Sequence, residues 1–304
     1  MTTNEEKFLA GVEGFYPDIP FDVYCKLRAV NASTLKNMEV SPKHFKHAYD
    51  VKSKDSDAFK LGRHVHSAVF ERENFEKEYT VAPEFTGKTK DGKDSSRSVE
   101  AIELKKKWYD ENKDKVIITV EEKQEAETIR DAVYNHTEAK RLLELTSYNE
   151  LTFVWKDEKT GLLCKGRLDR FLNLKMNGES VPAILDLKTI GKVATERNIS
   201  RAVEDNKYYF SMQFYCRGLQ TLLRQMGKLP NDKRVQTCVL IFVETIPTHD
   251  VVCRPLGVGW LVGAEHIIND YMNKAKIGFD TGVWAGISNE LETLEPPKYL
   301  FSEE

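Results

Sequence analysis

Cysteine is scarce and scattered in this chain. The five residues Cys25, Cys164, Cys216, Cys238 and Cys253 form no C-x-x-C pair. That argues against a cysteine-bound zinc or iron–sulfur centre and for a reducing, cytoplasmic setting. Long apolar runs are lacking, so no segment reads as a membrane-spanning helix and no membrane partner is expected. The opening Met1-Thr2-Thr3-Asn4-Glu5-Glu6 is polar and acidic, unlike a secretory signal. An excess of one charge is lacking too. The net charge is −3, which argues against general polyanion coating but leaves room for a local basic groove. There is no internal repeat. At 304 residues, 40% hydrophobic, the chain has enough apolar material to bury one full core.

The expected organisation is a single domain: a mainly helical part at 1–145, a sheet with helices at 146–284, and a tail at 285–304. Residues 1–30 read as a leader with a turn at Pro17-Asp18-Ile19-Pro20. Asn31 or Ser33 caps a first helix and Ser41-Pro42 starts a second. A third covers Asp57–Phe70. Residues 83–98 read as a mobile loop, and helices follow at 99–112 and 120–145, the latter with a capping box at Thr119 and Glu122. Strands are expected at 150–155, 162–174, 183–189, 235–244 and 251–255, with turns at 157–161 and Asn177-Gly178. Helices are expected at 205–225 and 261–276. This order predicts an α/β protein with a mixed sheet and a helical N-terminal half.

Chemistry concentrates on two strands. In Leu185-Asp186-Leu187-Lys188-Thr189, Asp186 and Lys188 alternate with leucines and share a face. In Gly166-Arg167-Leu168-Asp169, strict alternation sets Lys165, Arg167 and Asp169 on one face. Two carboxylates and a lysine on neighbouring strands are the parts of a metal-dependent phosphodiesterase: a hard cation takes oxygen ligands from rigid elements, and a lysine can offset charge at a scissile phosphate. The competing reading is two structural salt bridges, but buried Asp and Lys are seldom kept without a use. Glu150 is either a ligand for a second ion or a strand-edge charge. Lys165 and Arg167 either meet phosphates or pair inside the site. His66 shares a helix face with Gly62; spacing alone favours a satisfied core histidine over a metal ligand. Gln213, Tyr215 and Arg217 lie on a helix that can present one polar residue to DNA. Ser33 and Thr34 open a helix where a phosphate could dock, with Lys36 or Lys43 nearby, or they only cap it.

These residues resemble the PD-(D/E)XK nuclease superfamily, and within it the RecE-type exodeoxyribonuclease VIII group of phage and prophage proteins. The matching pieces are Ala32-Ser33-Thr34-Leu35 with Ser41-Pro42, Gly62 with His66, Glu150 with Phe153 and Trp155, Thr160-Gly161, Lys165 through Asp169, Asp186 through Thr189, Tyr208 to Gly218, and Phe242-Val243-Glu244 with Pro247. The resemblance implies a restriction-endonuclease-like core whose central mixed sheet is flanked by helices. It implies that His66, Asp169, Asp186 and the Leu187 carbonyl hold Mg²⁺, with Mn²⁺ as a substitute, and that Lys188 is catalytic. It implies 5′-to-3′ digestion of linear duplex DNA, giving 3′ overhangs for a single-strand annealing protein, by a homo-oligomeric ring (a trimer or tetramer). The alternatives are a single-strand- or structure-specific nuclease of the same superfamily, or a catalytically idle DNA-binding protein. One departure stands out: the family's helix carries glutamine four residues before its tyrosine, where this chain has Ser211, and its glutamine is Gln213.

Overall fold

The computed structural model describes residues 3–51, 57–89, 91, 93–176 and 178–295. The expected leader is part of the core. Helix α1 (Asn4–Leu9) begins with a capping box between Thr3 and Glu6. Strand β1 (Gly14–Tyr16) joins the main sheet, and α2 (Phe21–Lys26) follows the turn at Asp18, whose φ is 60°. Phe8, Tyr16, Ile19, Val23 and Leu27 bury together against Val154. A three-residue strand and two six-residue helices carry too little periodicity to register in sequence.

Asn31 caps α3 (Ala32–Leu35), its Oδ1 accepting the Thr34 N–H at 3.0 Å, and a 3₁₀ turn at Lys36–Glu39 continues it. Ser41 caps α4 (Pro42–Asp50). Helix α5 (Asp57–Phe70) has the expected bounds. The short α6 (Arg72–Glu78) leads into β2 (Tyr79–Val81). Where composition predicts only a loop, β3 (Gly87–Lys88) and β4 (Asp94–Ser95) form a small hairpin. Helix α7 (Val99–Glu111) precedes β5 (Val116–Ile118), which pairs parallel with β2. The helix expected across 120–145 is two, α8 (Val120–Asn135) and α9 (Thr137–Leu143). The break is at His136, whose Nδ1 accepts the Ala139 N–H at 3.1 Å and caps the new helix.

Strands β6 (Ser147–Lys156), β7 (Leu163–Met176) and β8 (Glu179–Ile190) form an antiparallel meander. The expected turn after β7 falls in part on Asn177, outside the described residues. An unexpected helix, α10 (Glu196–Asp205), precedes α11 (Tyr208–Gln225), which is the one expected over 205–225. Lys207 separates them with φ 51°. Strand β9 (Thr237–Glu244) then runs parallel to β8, β10 (Val251–Pro255) antiparallel to β9, and α12 (Val258–Thr281) closes the fold. The mixed sheet has the order β1-β6-β7-β8-β9-β10. One face packs on α11 and α12 through Phe153, Trp155, Ile184 and Phe242. The other packs on α5, α8 and α9 through Leu185, Leu187, Val239 and Ile241. No helix among the described residues is long and apolar enough to cross a membrane.

Two glycines set how closely α11 lies on the sheet. A Cβ on Gly166 would sit 2.4 Å from Phe153, and one on Gly218 2.7 Å from both Phe153 and Trp155. The strand alternation also slips near the site. Leu168 and Phe171 pack into the same layer, while Leu172 joins the opposite one. Across from this slip Glu150 takes φ 46°, a left-handed conformation costly for a non-glycine residue and common at functional sites. Lys165, Arg167 and Asp169 therefore do not share one uninterrupted face.

Candidate metal centre

Four elements converge on the point where the β7–β8 ladder opens. Its last registered pair is Arg170 with Leu185. Asp169 and Asp186 are the next residues, and there the strands part. Lys188 Nζ lies 2.6 Å from Asp186 Oδ2 and 5.2 Å from the centre of the Tyr208 ring. Asp169 Oδ2 accepts the Leu187 N–H at 3.0 Å. Glu150 enters from β6, held by Arg167 Nε at 2.6 Å. His66 enters from α5, its Nε2 2.8 Å from the Leu187 carbonyl and its Nδ1 3.3 Å from Asp169 Oδ2.

The tautomer of His66 follows from its partners. A carbonyl oxygen only accepts, so Nε2 carries the proton and donates to Leu187. Burial, and then the Lys188 charge, lower the imidazole pKa, which keeps the ring neutral. Nδ1 is then a lone pair facing a carboxylate oxygen. Two acceptors with no donor between them are a place for a cation. Charge balance says the same. Asp186 is paired with Lys188 and Glu150 with Arg167, but Asp169 has no cationic side chain among the described ion pairs. Burial and then the Asp186 charge push its carboxyl up to about 7. Burial, then Asp169, raise Glu150 as well, with Arg167 offsetting part. Burial works to lower Lys188, yet Asp186 and Asp169 outweigh it and hold the ammonium above its ordinary range.

Donor atoms of His66, Glu150 and Asp169 all lie within 4.8 Å of one another. An imidazole with two carboxylates suits a divalent ion, and Lys188 and the Leu187 N–H offset only part of the cost of burying the Asp169 charge. Glu150 thus stands inside the ligand group. Asp186 stands beside that group, drawn to Lys188. The Leu187 carbonyl orients His66, as outer partners of metal ligands commonly do.

The other expected contacts are placed differently. Lys165 is buried and gives its ammonium to the carbonyls of Tyr24 and Leu27, both at 2.7 Å. Arg167 is divided between Glu150 and the Ile19 carbonyl at 2.5 Å. These contacts tie α2 to the sheet and do not present the two side chains to a phosphate. Gln213 turns to α12, where its Nε2 donates to Glu265 at 2.9 Å, so it does not stand in for the glutamine expected at Ser211. Arg217 of the same helix is paired with Asp157 at 2.5 Å. Tyr215 packs edge-on against Phe153, and burial, then Tyr24 and the three site carboxylates, raise its phenol. Ser33 is exposed, and the Thr34 N–H is taken by the Asn31 cap.

Two neighbours carry little signal in sequence. Tyr208 backs the Lys188 ammonium with its ring. Lys36 Nζ donates to the Asn206 carbonyl at 2.8 Å, and burial, then the Lys188 charge, lower its pKa to about 8. Both meet the short α10–α11 junction, which only the folded chain brings to the site.

Residues 31–251 match the family described as a PDDEXK-like domain of unknown function, DUF3799. The chain belongs to this family. Among solved structures, a protein of Eubacterium rectale titled "Putative exonuclease" is similar over 90% of this chain and 92% of its own, with a TM-score of 0.54 and 14% identity. At that identity the likeness concerns the fold, a PDDEXK-like α/β core. The crystal structure of SSO0001 matches at a TM-score of 0.25 and 11% identity over 70% of this chain and 86% of its own, too loosely to bear on the fold. No curated protein matches the chain.

Proposed function

We propose that this PDDEXK-like protein is a divalent-metal-dependent nuclease that digests linear double-stranded DNA from 5′ to 3′ and leaves 3′ overhangs. The observation that carries the proposal is Asp169, a buried carboxylate with no cationic ion-pair partner among the described residues, facing the lone pair of His66 Nδ1 beside the Asp186–Lys188 pair. The 5′ polarity and the duplex preference draw on the RecE-type motif set. His66, Glu150 and Asp169, with Asp186 alongside, would hold Mg²⁺ or Mn²⁺. The bound ion would supply Lewis-acid polarisation of the scissile phosphate. Lys188 stays protonated under Asp186 and Asp169 and offsets the negative charge that develops on the phosphate oxygens. Asp186 orients the ammonium, and the Tyr208 ring stands beside it. Arg167 holds the Glu150 carboxylate toward the group. Partners on this reading are duplex DNA ends, a single-strand annealing protein and further copies of the chain in a ring.

Three substrates test the proposal with and without Mg²⁺: linear duplex labelled at the 5′ end, the same duplex labelled at the 3′ end, and a closed circle. Early release of the 5′ label, an intact circle and no reaction without the ion are expected. Rapid cutting of the circle means an endonuclease. Early loss of the 3′ label alone reverses the polarity.

A further inference from the structure

We infer that Phe21 is a stacking platform for a nucleobase of the DNA strand held at the cleavage site. The inference rests on the DNA-cleavage reading above and adds a positioning residue to it. Three rings form a ladder from the core outward. Phe8 is fully buried, Tyr24 stacks on it at 6.3 Å and 21°, and Phe21 stacks on Tyr24 at 6.0 Å and 17°. The outermost ring is 55% exposed, so the ladder ends in open solvent.

A single exposed phenylalanine needs no explanation. This one is braced by two cations, a half-buried arginine beside its own ring and a buried lysine beside the Tyr24 ring beneath it. Lys165 lies 4.3 Å from the Tyr24 ring centre and holds the carbonyls of Tyr24 and Leu27. The Arg167 guanidinium lies 6.0 Å from the Phe21 ring centre. The same guanidinium holds the Ile19 carbonyl and the Glu150 carboxylate. One side chain therefore spans from a ligand-group carboxylate to the exposed ring, which fixes the ring at the edge of the metal centre.

A flat, rigid, solvent-facing π surface beside a phosphodiester site suits a base. Bases stack on aromatic side chains whatever their identity, so the platform adds affinity and register without sequence preference. With Phe21 stacked on the base next to the scissile bond, the strand cannot slide relative to Asp169 and Lys188.

The test uses full-length protein with Ca²⁺ in place of Mg²⁺, so that binding is read without cleavage. Fluorescence anisotropy measures affinity for a linear duplex and for duplexes with one abasic nucleotide at each of the first three positions from the 5′ end. In the wild type, one abasic position should weaken binding about tenfold. Phe21→Leu keeps an apolar side chain on Tyr24 but removes the π face. It should weaken binding of the intact duplex by a similar factor and be indifferent to the abasic position. Phe21→Trp should behave as the wild type. The platform is overturned if no abasic position matters to the wild type, or if the leucine variant keeps the same sensitivity. A wild type that cleaves DNA while the leucine variant is unchanged removes only the platform. A wild type that neither binds nor cleaves DNA removes the nuclease reading itself.

Discussion

On β8, Asp186 and Lys188 pair at 2.6 Å and look onto Asp169. On β7, Lys165 and Arg167 turn to the carbonyls of Tyr24, Leu27 and Ile19. Both segments alternate charged and uncharged residues, and in sequence both suit a phosphate site. What differs is the element each face meets. The β8 face meets carboxylates from two other elements, so its charges stay under-neutralised. The β7 face meets the end of α2, whose free carbonyls need donors. Alternation says which side chains share a face and nothing about what covers it. Arg167 belongs to both regions, since it holds a carbonyl of the N-terminal segment and a carboxylate of the ligand group.

The sharpest way to break the contrast is Asp186→Ala. Turnover should fall by at least about a hundredfold while the protein stays folded. A folded variant with wild-type turnover would move the chemistry elsewhere. Lys188→Met should cost turnover on a similar or slightly smaller scale but keep Mn²⁺ binding, because an ammonium offers no lone pair to a cation. Calorimetry separates the two variants: lost ion binding with retained cleavage would reverse the role given to the lysine.

Lys165→Met sharpens the other half. It strands two carbonyls that Lys165 now satisfies, so stability should drop by about 2–4 kcal/mol. Turnover per folded molecule should survive. If DNA affinity and its salt dependence fall instead with stability intact, the lysine is a phosphate contact after all.

The last expected effect, without consequence for turnover, is on the pH dependence of stability without metal. Asp169 has a folded pKa raised from 3.8 to about 7, so folding favours its protonated form. Its contribution is fully present below pH about 4 and is lost as pH rises through about 7. Asp169→Asn should flatten the metal-free melting temperature over that window and leave the variant the more stable protein at pH 8. A wild-type slope that is flat or opposite in sign would contradict the buried Asp169 carboxylate.

Much of the frame was legible from residues. Alternation and turn chemistry locate β6 to β10, and Asp57–Phe70 is bounded as expected. Asp169, Asp186 and Lys188 stand out because charges seldom sit in buried strands. Other features had no sequence signal strong enough. The leader hides a strand and two helices, each too short for a period to show. The helix break at His136 comes from a histidine used as a cap, and the one at Lys207 from a lysine in a left-handed conformation. His66 lies 121 residues from the carbonyl that orients it, so spacing could not join them. Glu150 stays open between an ion ligand and an edge charge until its positive φ and the slip opposite it are seen. Gln213 is two positions out of register, and the fold turns it to Glu265.

The most direct test of the metal centre is a Mn²⁺ titration, followed by electron paramagnetic resonance, of the wild type, Lys165→Met and Asp169→Asn. The wild type and the lysine variant should bind the ion saturably and alike, and the asparagine variant should lose that binding while remaining folded. Equal binding by wild type and Asp169→Asn would contradict the assignment of Asp169, and with it the metal centre described for this chain.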